Sequence, residues 1–215
     1  MKLDNKYSFI WDLDGTLIDS YHIIVNSIYL TYLKYGIKLD KDEVYKEVIK
    51  TSTKDFLLEM EKNYKVPYIE ARNNCTVLNE KEKYNIKAMK HAYEILSYLN
   101  KEGIMNYVFT HKGHTSIDIL KNNDLLDFFK EVVIKENGFL RKPAPDAINY
   151  LVEKYQLNKE TTFYVGDRVI DVECAHRAGI KSILYLPKES VAIPNGKENY
   201  IVKDLLDIVN IIEEK

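Results

Sequence analysis

The run YSFIWDLDGT, residues 7–16, is the most informative stretch of this sequence about its fold. Its first five residues are apolar or aromatic almost throughout, which predicts a short buried strand. Asp12 and Asp14 follow that strand, and Gly15 allows the backbone to turn sharply. Open α/β sheets bind their ligands at the carboxyl ends of their strands, so both aspartates are candidate site residues. The alternative is an ordinary turn rich in Asp and Gly.

Four further apolar runs resemble the first, and helical patterns separate them. We predict strands at residues 105–110, 131–134, 161–165 and 182–186, and helices at residues 86–100, 115–122, 147–155, 172–178 and 204–212. Strands that alternate with helices are typical of a doubly wound parallel sheet. The sequence therefore predicts an α/β fold.

A long segment without any strand signal interrupts this alternation after residue 16. Three stretches of it have the spacing of amphipathic helices, namely residues 18–35, 41–50 and 54–64. So long a connection between strands is unusual unless it folds as a unit of its own. We therefore expect a catalytic core of residues 1–16 and 86–215, and an all-helical insert of residues 17–85. The alternative is that these helices pack directly on the sheet.

Three other places in the predicted core carry residues suited to chemistry. Thr110 ends one strand, where its hydroxyl can donate to a phosphate oxygen, and His111 beside it is a second candidate contact. Lys142 lies in a Pro-containing loop, where an ammonium group could balance converging negative charge. Asp167 and Asp171 follow another strand and would share one face of a helical turn.

Each of these residues also has an ordinary explanation. Thr110 could cap the next helix, and Lys142 could be a solvated base before a helix start. Asp167 and Asp171 could belong to an Asp-rich helix start. Their combination is more informative, because four converging carboxylates repel each other unless a cation lies between them. Oxygen ligands suit Mg²⁺, and the remaining ammonium and hydroxyl groups indicate an anionic substrate such as a phosphate.

The four motifs, in this order, resemble those of the haloacid dehalogenase-like (HAD) superfamily. The run DLDGT at residues 12–16 is similar to the first motif, Thr110 to the second, Lys142 to the third, and GDRVID at residues 166–171 to the fourth. The helical insert resembles the cap of the group that includes phosphoglycolate phosphatases and β-phosphoglucomutases. The resemblance implies a Rossmann-like core, a helical cap and Mg²⁺ as the cofactor.

The resemblance also implies the chemical steps. Asp12 would attack phosphorus and form an aspartyl-phosphate. Asp14 would protonate the leaving oxygen and later accept a proton from the hydrolytic water. Dehalogenases of this superfamily lack that second aspartate, because an alkyl halide needs no acid for its leaving group. The presence of Asp14 therefore argues against dehalogenation.

The remaining site residues would bind the phosphoryl group and the metal. Thr110 and Lys142 would hold the transferring phosphoryl group. Mg²⁺ would be held by Asp12, the backbone carbonyl of Asp14, Asp167 and Asp171. The last of these would act either directly or through another ligand.

Two places within the resemblance leave questions open. Many relatives have Pro-Gly where the chain returns from the cap, whereas residues 87–91 contain neither, so the return point of the cap is open. Thr51, Ser52 and Thr53 occupy the place of a substrate-facing loop and are candidates for substrate selection. A plain polar connection between two helices is the alternative.

Composition narrows the class of partner. With 31 basic and 33 acidic residues the net charge is −2, which favours neither nucleic acid nor an anionic membrane surface. Cys75 and Cys174 form no CxxC pair or metal-ligand spacing. Residues 1–11 lack the apolar segment of a signal peptide, and no apolar run approaches the length of a membrane-spanning helix. We expect a cytoplasmic protein, and the sequence does not indicate its oligomeric state.

The leading hypothesis is a phosphatase that acts on a small-molecule phosphate ester. Phosphoglycolate is the nearest candidate substrate by resemblance. A phosphosugar mutase would share the first step but pass the phosphoryl group to a sugar. A non-catalytic protein that binds a phosphate ligand is a third hypothesis, and the complete set of motif residues argues against it.

Overall fold

A computed structural model describes residues 7–213 of the chain, which divide into two compact units. One unit contains the residues up to Asp19 and from Lys87 onward, and the other spans Ser20–Ile86. The sequence predicted a helical insert of residues 17–85. The helical unit begins later than this, because residues 18–19 form a strand within the first unit. Residues 1–6 and 214–215 lie outside the described range. Both ranges belong to the predicted core, and residues 1–6 are also part of the segment in which we looked for a signal peptide.

The strands all belong to the first unit. In chain order they are β1 (Ser8–Trp11), β2 (Ile18–Asp19), β3 (Lys87–Ala88), β4 (Met105–Phe109), β5 (Phe129–Val133), β6 (Thr162–Gly166), β7 (Lys181–Tyr185) and β8 (Tyr200–Val202). Six of them form one parallel sheet in the order β5-β4-β1-β6-β7-β8. The strand order reverses beside β1, and this is where doubly wound sheets bind their ligands. The predicted α/β, Rossmann-like fold is confirmed.

The helices divide between the two units. In chain order they are α1 (Tyr21–Leu33), α2 (Lys41–Lys50), α3 (Thr53–Tyr64), α4 (Tyr68–Glu82), α5 (Ala92–Lys101), α6 (Thr115–Asn122), α7 (Asp146–Tyr155), α8 (Val169–Ala178) and α9 (Ile208–Glu213). The first four form the helical unit, and the other five belong to the unit with the sheet. Among the described residues, no helix combines the length and hydropathy needed to cross a bilayer.

Burial explains why β1 is central. All four of its residues are buried, as expected for a strand covered on both faces. Ile10 packs in a cluster with Tyr107, Tyr164 and the apolar side of α7 and α8. The end of α8 is set by Gly179, whose φ of 72° is a left-handed conformation that glycine adopts without strain.

The helical unit has an apolar core of its own. Ile28, Leu57 and Ala71 are almost completely buried in a cluster that draws on all four helices. Asp40 begins α2 by accepting hydrogen bonds from the backbone amides of Asp42 and Glu43. A unit that buries its own apolar face in this way can fold as a separate body.

The helix predicted directly after the insert begins later than the sequence indicated. We predicted a helix at residues 86–100, but Lys87–Ala88 instead pairs antiparallel with Ile18–Asp19, and α5 starts only at Ala92. The apolar residues at 88 and 89 fit helical spacing, but the backbone amide of Met89 donates to Leu17, which extends the pairing of β2 and β3. The prediction was wrong here because pairing with a distant strand overrode the local pattern. The short edge strand β8 gave no signal that we recognised.

Candidate active site

The ends of three neighbouring strands bring the predicted residues together. Asp12 follows β1, and its backbone amide donates to Val165 on β6 at 2.8 Å. Thr110 follows β4, and its amide donates to Val133 on β5 at 3.0 Å. Asp167 directly follows β6. The parallel register therefore carries these side chains to one edge of the sheet.

Lys142 lies at the centre of this edge with no exposed side-chain surface. Its Nζ is 2.7 Å from Asp12 Oδ1 and 2.8 Å from Asp171 Oδ1, and the side chain is 0% exposed. The rings of Phe109 and Tyr164 both lie 5.1 Å from the same nitrogen, within the range of a cation–π interaction. Burial on its own would lower the pKa of Lys142, but the two carboxylates raise it above its usual value. Lys142 is therefore charged in this site.

Asp12 has one oxygen held and one oxygen available. Its Oδ1 contacts Lys142, while Oδ2 is buried without a hydrogen-bond partner within residues 7–213. Burial raises the pKa of Asp12 to about 6, although the ammonium of Lys142 opposes that change. A buried oxygen that lacks a partner is costly unless something binds there. Asp12 Oδ2 is therefore the atom of this edge that most needs a ligand.

Asp12, Asp167 and Asp171 form a group that could hold a metal ion. All three are buried, and each offers an oxygen within 4.8 Å of the others. Thr16 donates to Asp167 Oδ1 at 3.3 Å, and the amide of Arg168 donates to Asp171 Oδ2 at 3.2 Å, so two of the three carboxylates are held in place. Three carboxylates beside the single ammonium of Lys142 leave a negative excess. Hard divalent cations prefer such all-oxygen ligand sets.

Asp14 is not part of that carboxylate group. Its Oδ1 lies 3.0 Å from Nζ of Lys112, and both side chains are largely covered, at 23% and 12% exposure. Lys112 is not among the residues that the sequence predicts for the site. Lys112 lies two residues beyond Thr110, in the loop that follows β4, and β4 is paired with β1. That position is the signal that could have placed Lys112 beside Asp14. The expected backbone-carbonyl contact of Asp14 with a metal stays a prediction.

Thr110 and His111 serve different purposes in the loop after β4. Thr110 Oγ1 accepts a hydrogen bond from the amide of Lys112 at 3.1 Å, which leaves its hydroxyl hydrogen free to donate. Helix α6 begins only at Thr115, so Thr110 does not cap it. His111 Nε2 accepts from the amide of Lys142 at 2.9 Å, and burial lowers the pKa of His111 to about 2. The neutral ring supports the backbone of Lys142, and its contact with phosphate stays a prediction.

The candidate specificity residues lie between α2 and α3 in the helical unit. Thr51 Oγ1 donates to the carbonyl of Glu47 at 2.8 Å, and Ser52 Oγ accepts from the amide of Asp55 at 3.1 Å. Thr53 is the first residue of α3. Helix capping accounts for these contacts. A role in substrate selection stays a prediction.

Comparison with known proteins agrees with this geometry. The sequence profile of the haloacid dehalogenase-like hydrolases matches residues 9–185. The pyrophosphatase PpaX of Oceanobacillus iheyensis is 24% identical over 212 residues, with 95% of this chain and 96% of that protein covered. The phosphoglycolate phosphatase of Vibrio cholerae is 27% identical over 117 residues, which covers 53% of this chain and 52% of that protein.

A solved structure extends the likeness to the fold. The crystal structure of a "predicted phosphoglycolate phosphatase" from Haemophilus somnus superimposes with a TM-score of 0.85 at 21% identity, and the match covers 99% of both chains. The family profile spans most of the chain, including the strand ends that carry Asp12, Thr110 and Asp167 and the loop that carries Lys142. The chain belongs to the haloacid dehalogenase-like hydrolase family.

Proposed function

We propose that this chain is a magnesium-dependent phosphatase that hydrolyses a small-molecule phosphate monoester through an aspartyl-phosphate on Asp12. One observation carries the proposal: the buried Oδ2 of Asp12 has no hydrogen-bond partner in the described part of the chain, while Oδ1 is fixed by Lys142. A carboxylate oxygen held at one end and available at the other is suited to nucleophilic attack. The names of the relatives, pyrophosphatase and phosphoglycolate phosphatase, agree with this chemistry.

In the first half of the reaction, Asp12 Oδ2 bonds to phosphorus as the bond to the leaving oxygen breaks. Asp14 gives that oxygen its proton. In the second half, water attacks phosphorus, Asp14 takes a proton from it, and the bond between Asp12 and phosphorus breaks. The ammonium of Lys142 and the hydroxyl of Thr110 bind the oxygens of the transferring group, where negative charge accumulates. Atoms and charge balance over the two halves, and inorganic phosphate leaves.

The carboxylates of Asp12, Asp167 and Asp171 fit Mg²⁺, because they are buried, close together and only partly neutralised by Lys142. Bound there, Mg²⁺ would offset the charge of the nucleophile and of the substrate phosphate. The remaining work belongs to residues of this chain. Thr16 and the amide of Arg168 hold two of the carboxylates in place.

We assign the choice of substrate to the helical unit, with Thr51, Ser52 and Thr53 as candidate contacts. Pyrophosphate and phosphoglycolate, the substrates in the names of two relatives, are the first compounds to test. We also infer a cytoplasmic setting, because Cys75 and Cys174 are both free and buried, as is usual in a reducing compartment.

The test is release of inorganic phosphate from a panel of phosphate esters and pyrophosphate, with and without Mg²⁺. Asp12→Asn should reduce kcat by at least about 1,000-fold, since the nucleophile is lost. The matched control is Asp127→Asn, the same change at an exposed aspartate before β5, which should keep wild-type activity. Equal activity of Asp12→Asn and wild type would refute the assignment. Interconversion of hexose phosphates without phosphate release would show a mutase instead.

A further inference from the structure

A second lysine lies beside the catalytic aspartates, on the side of Asp14. Lys112 Nζ is 3.0 Å from Asp14 Oδ1, and its side chain is 12% exposed. The contact joins the loops that follow β1 and β4, which are paired in parallel, so the sheet itself holds the two residues together. The amide of Lys112 is also fixed by Thr110, and its carbonyl accepts from the amide of Lys135 at 3.1 Å. The ammonium therefore projects from an anchored backbone.

Lys112 and Lys142 differ in the number of carboxylates that they contact and in their exposure. Lys142 is completely buried and divides its ammonium between Asp12 and Asp171. Within the described residues, Asp14 is the only carboxylate in ion-pair distance of Lys112. An ammonium group has three hydrogens to donate, so Lys112 retains donors for an incoming anion. Its partial exposure lets such an anion reach it.

The position of Lys112 relative to the reaction follows from the role of Asp14. A residue that protonates the leaving oxygen has to lie within hydrogen-bond distance of it, about 3 Å. A cation in contact with Asp14 therefore lies beside the leaving group, on the opposite side of phosphorus from Asp12. A neutral leaving group has nothing there for Lys112 to bind. A leaving group with a negative charge of its own offers Lys112 an anion to bind at that place.

Building on the proposed function, we propose that Lys112 selects substrates whose leaving group is itself anionic. The fitting chemistry is a second phosphoryl group joined through the scissile oxygen, or a carboxylate one or two bonds beyond it. Lys112 would then act as a specificity-determining residue, while Lys142 and Thr110 bind the phosphoryl group common to all substrates. Charge-assisted hydrogen bonds of this kind are shorter and stronger than neutral ones.

The test compares two stable ligands that differ in the extra anionic group. Isothermal titration calorimetry measures the affinity of the full-length protein for methylenediphosphonate and for inorganic phosphate in one Mg²⁺-containing buffer. Lys112→Met and Lys112→Gln should lower the ratio of the two affinities about 10- to 100-fold, the effect of losing one hydrogen bond to a charged group. Lys112→Arg should restore most of the ratio. Lys121→Met, at an exposed lysine of α6, is the matched control and should leave the ratio unchanged.

The outcomes separate this inference from the proposed function. An affinity ratio that is unchanged in both Lys112→Met and Lys112→Gln would overturn the role of Lys112 even if phosphatase activity is present. A wild-type protein that does not prefer the diphosphonate would overturn it as well. A ratio that falls as expected supports that role as an anion site even if no phosphate ester is hydrolysed, in which case the proposed function alone fails. Thermal denaturation of each variant verifies that it is folded.

Discussion

Replacing Lys142 with Met should destabilise the protein strongly, because two buried carboxylates would lose their counter-charge. Lys142 Nζ lies 2.7 Å from Asp12 and 2.8 Å from Asp171, and none of the three side chains is more than 4% exposed. Removing one partner of a buried ion pair typically costs about 3–5 kcal/mol. Met fills most of the volume of the lysine, so the loss reports charge rather than a cavity. We expect a loss in that range at pH 8 in the absence of metal.

The same substitution should make stability depend more steeply on pH. Burial already raises the pKa of Asp12 from its ordinary 3.8 to about 6 with Lys142 present. Without Lys142 the folded-state pKa rises further, so the folded variant binds a proton that the unfolded chain releases. A carboxyl group with a raised folded-state pKa stabilises the fold at low pH, and that contribution is lost as pH rises through the folded-state value. The destabilisation should therefore be smaller at pH 5 than at pH 8.

Urea unfolding with EDTA at both pH values measures these quantities. The matched control is Lys90→Met, because the Lys90 side chain is 77% exposed and its ammonium lies 4.0 Å from Asp204. Lys90→Met should therefore lower the free energy of unfolding by only a small fraction of the loss in Lys142→Met. A loss below about 1 kcal/mol for Lys142→Met at pH 8 would contradict the buried-pair argument. So would equal losses at pH 5 and pH 8.

Two further predictions concern the buried carboxylates Asp167 and Asp171. Gly166→Ala should lower the free energy of unfolding in urea by about 1–3 kcal/mol, because a Cβ there would collide with the Asp171 side chain. In the control Gly113→Ala the Cβ meets only the flexible end of Glu136, so the loss should be smaller. Equal losses in the two variants would refute this prediction. Mg²⁺ should raise Tm by binding the folded state, with about 2.7 kcal/mol of stabilisation at a hundredfold excess over Kd. Asp167→Asn should remove most of that rise, and an undiminished rise in this variant would place the metal elsewhere.

The sequence predicts the strand ends well because their geometry is simple. Parallel strands that alternate with helices must end at one edge, so Asp12, Thr110 and Asp167 could be grouped before any contact was known. The sequence ends this strand at residue 165, and β6 ends one residue later at Gly166, where an added side chain would collide with Asp171. Local pattern and sheet topology agree at these positions.

Other features depend on contacts between segments distant in sequence. The pairing of Lys112 with Asp14 joins two loops, and no periodicity fixes where a side chain points once its strand has ended. His111 was proposed as a phosphate contact from its neighbourhood alone, and the structure shows its Nε2 bonded to the backbone of Lys142. The late start of α5 arises from the pairing of β2 with β3, which apolar spacing does not reveal.

The proposed role of Asp12 is to carry the phosphoryl group during turnover. Its most direct test is to mix the wild-type protein with substrate and Mg²⁺, quench with acid within the first turnover, and locate the phosphoryl group by peptide mass spectrometry. We expect a phosphorylated Asp12 that appears early, disappears once substrate is consumed, and is absent from Asp12→Asn. Phosphate release without any phosphorylation of Asp12, or with the group on another residue, would contradict it.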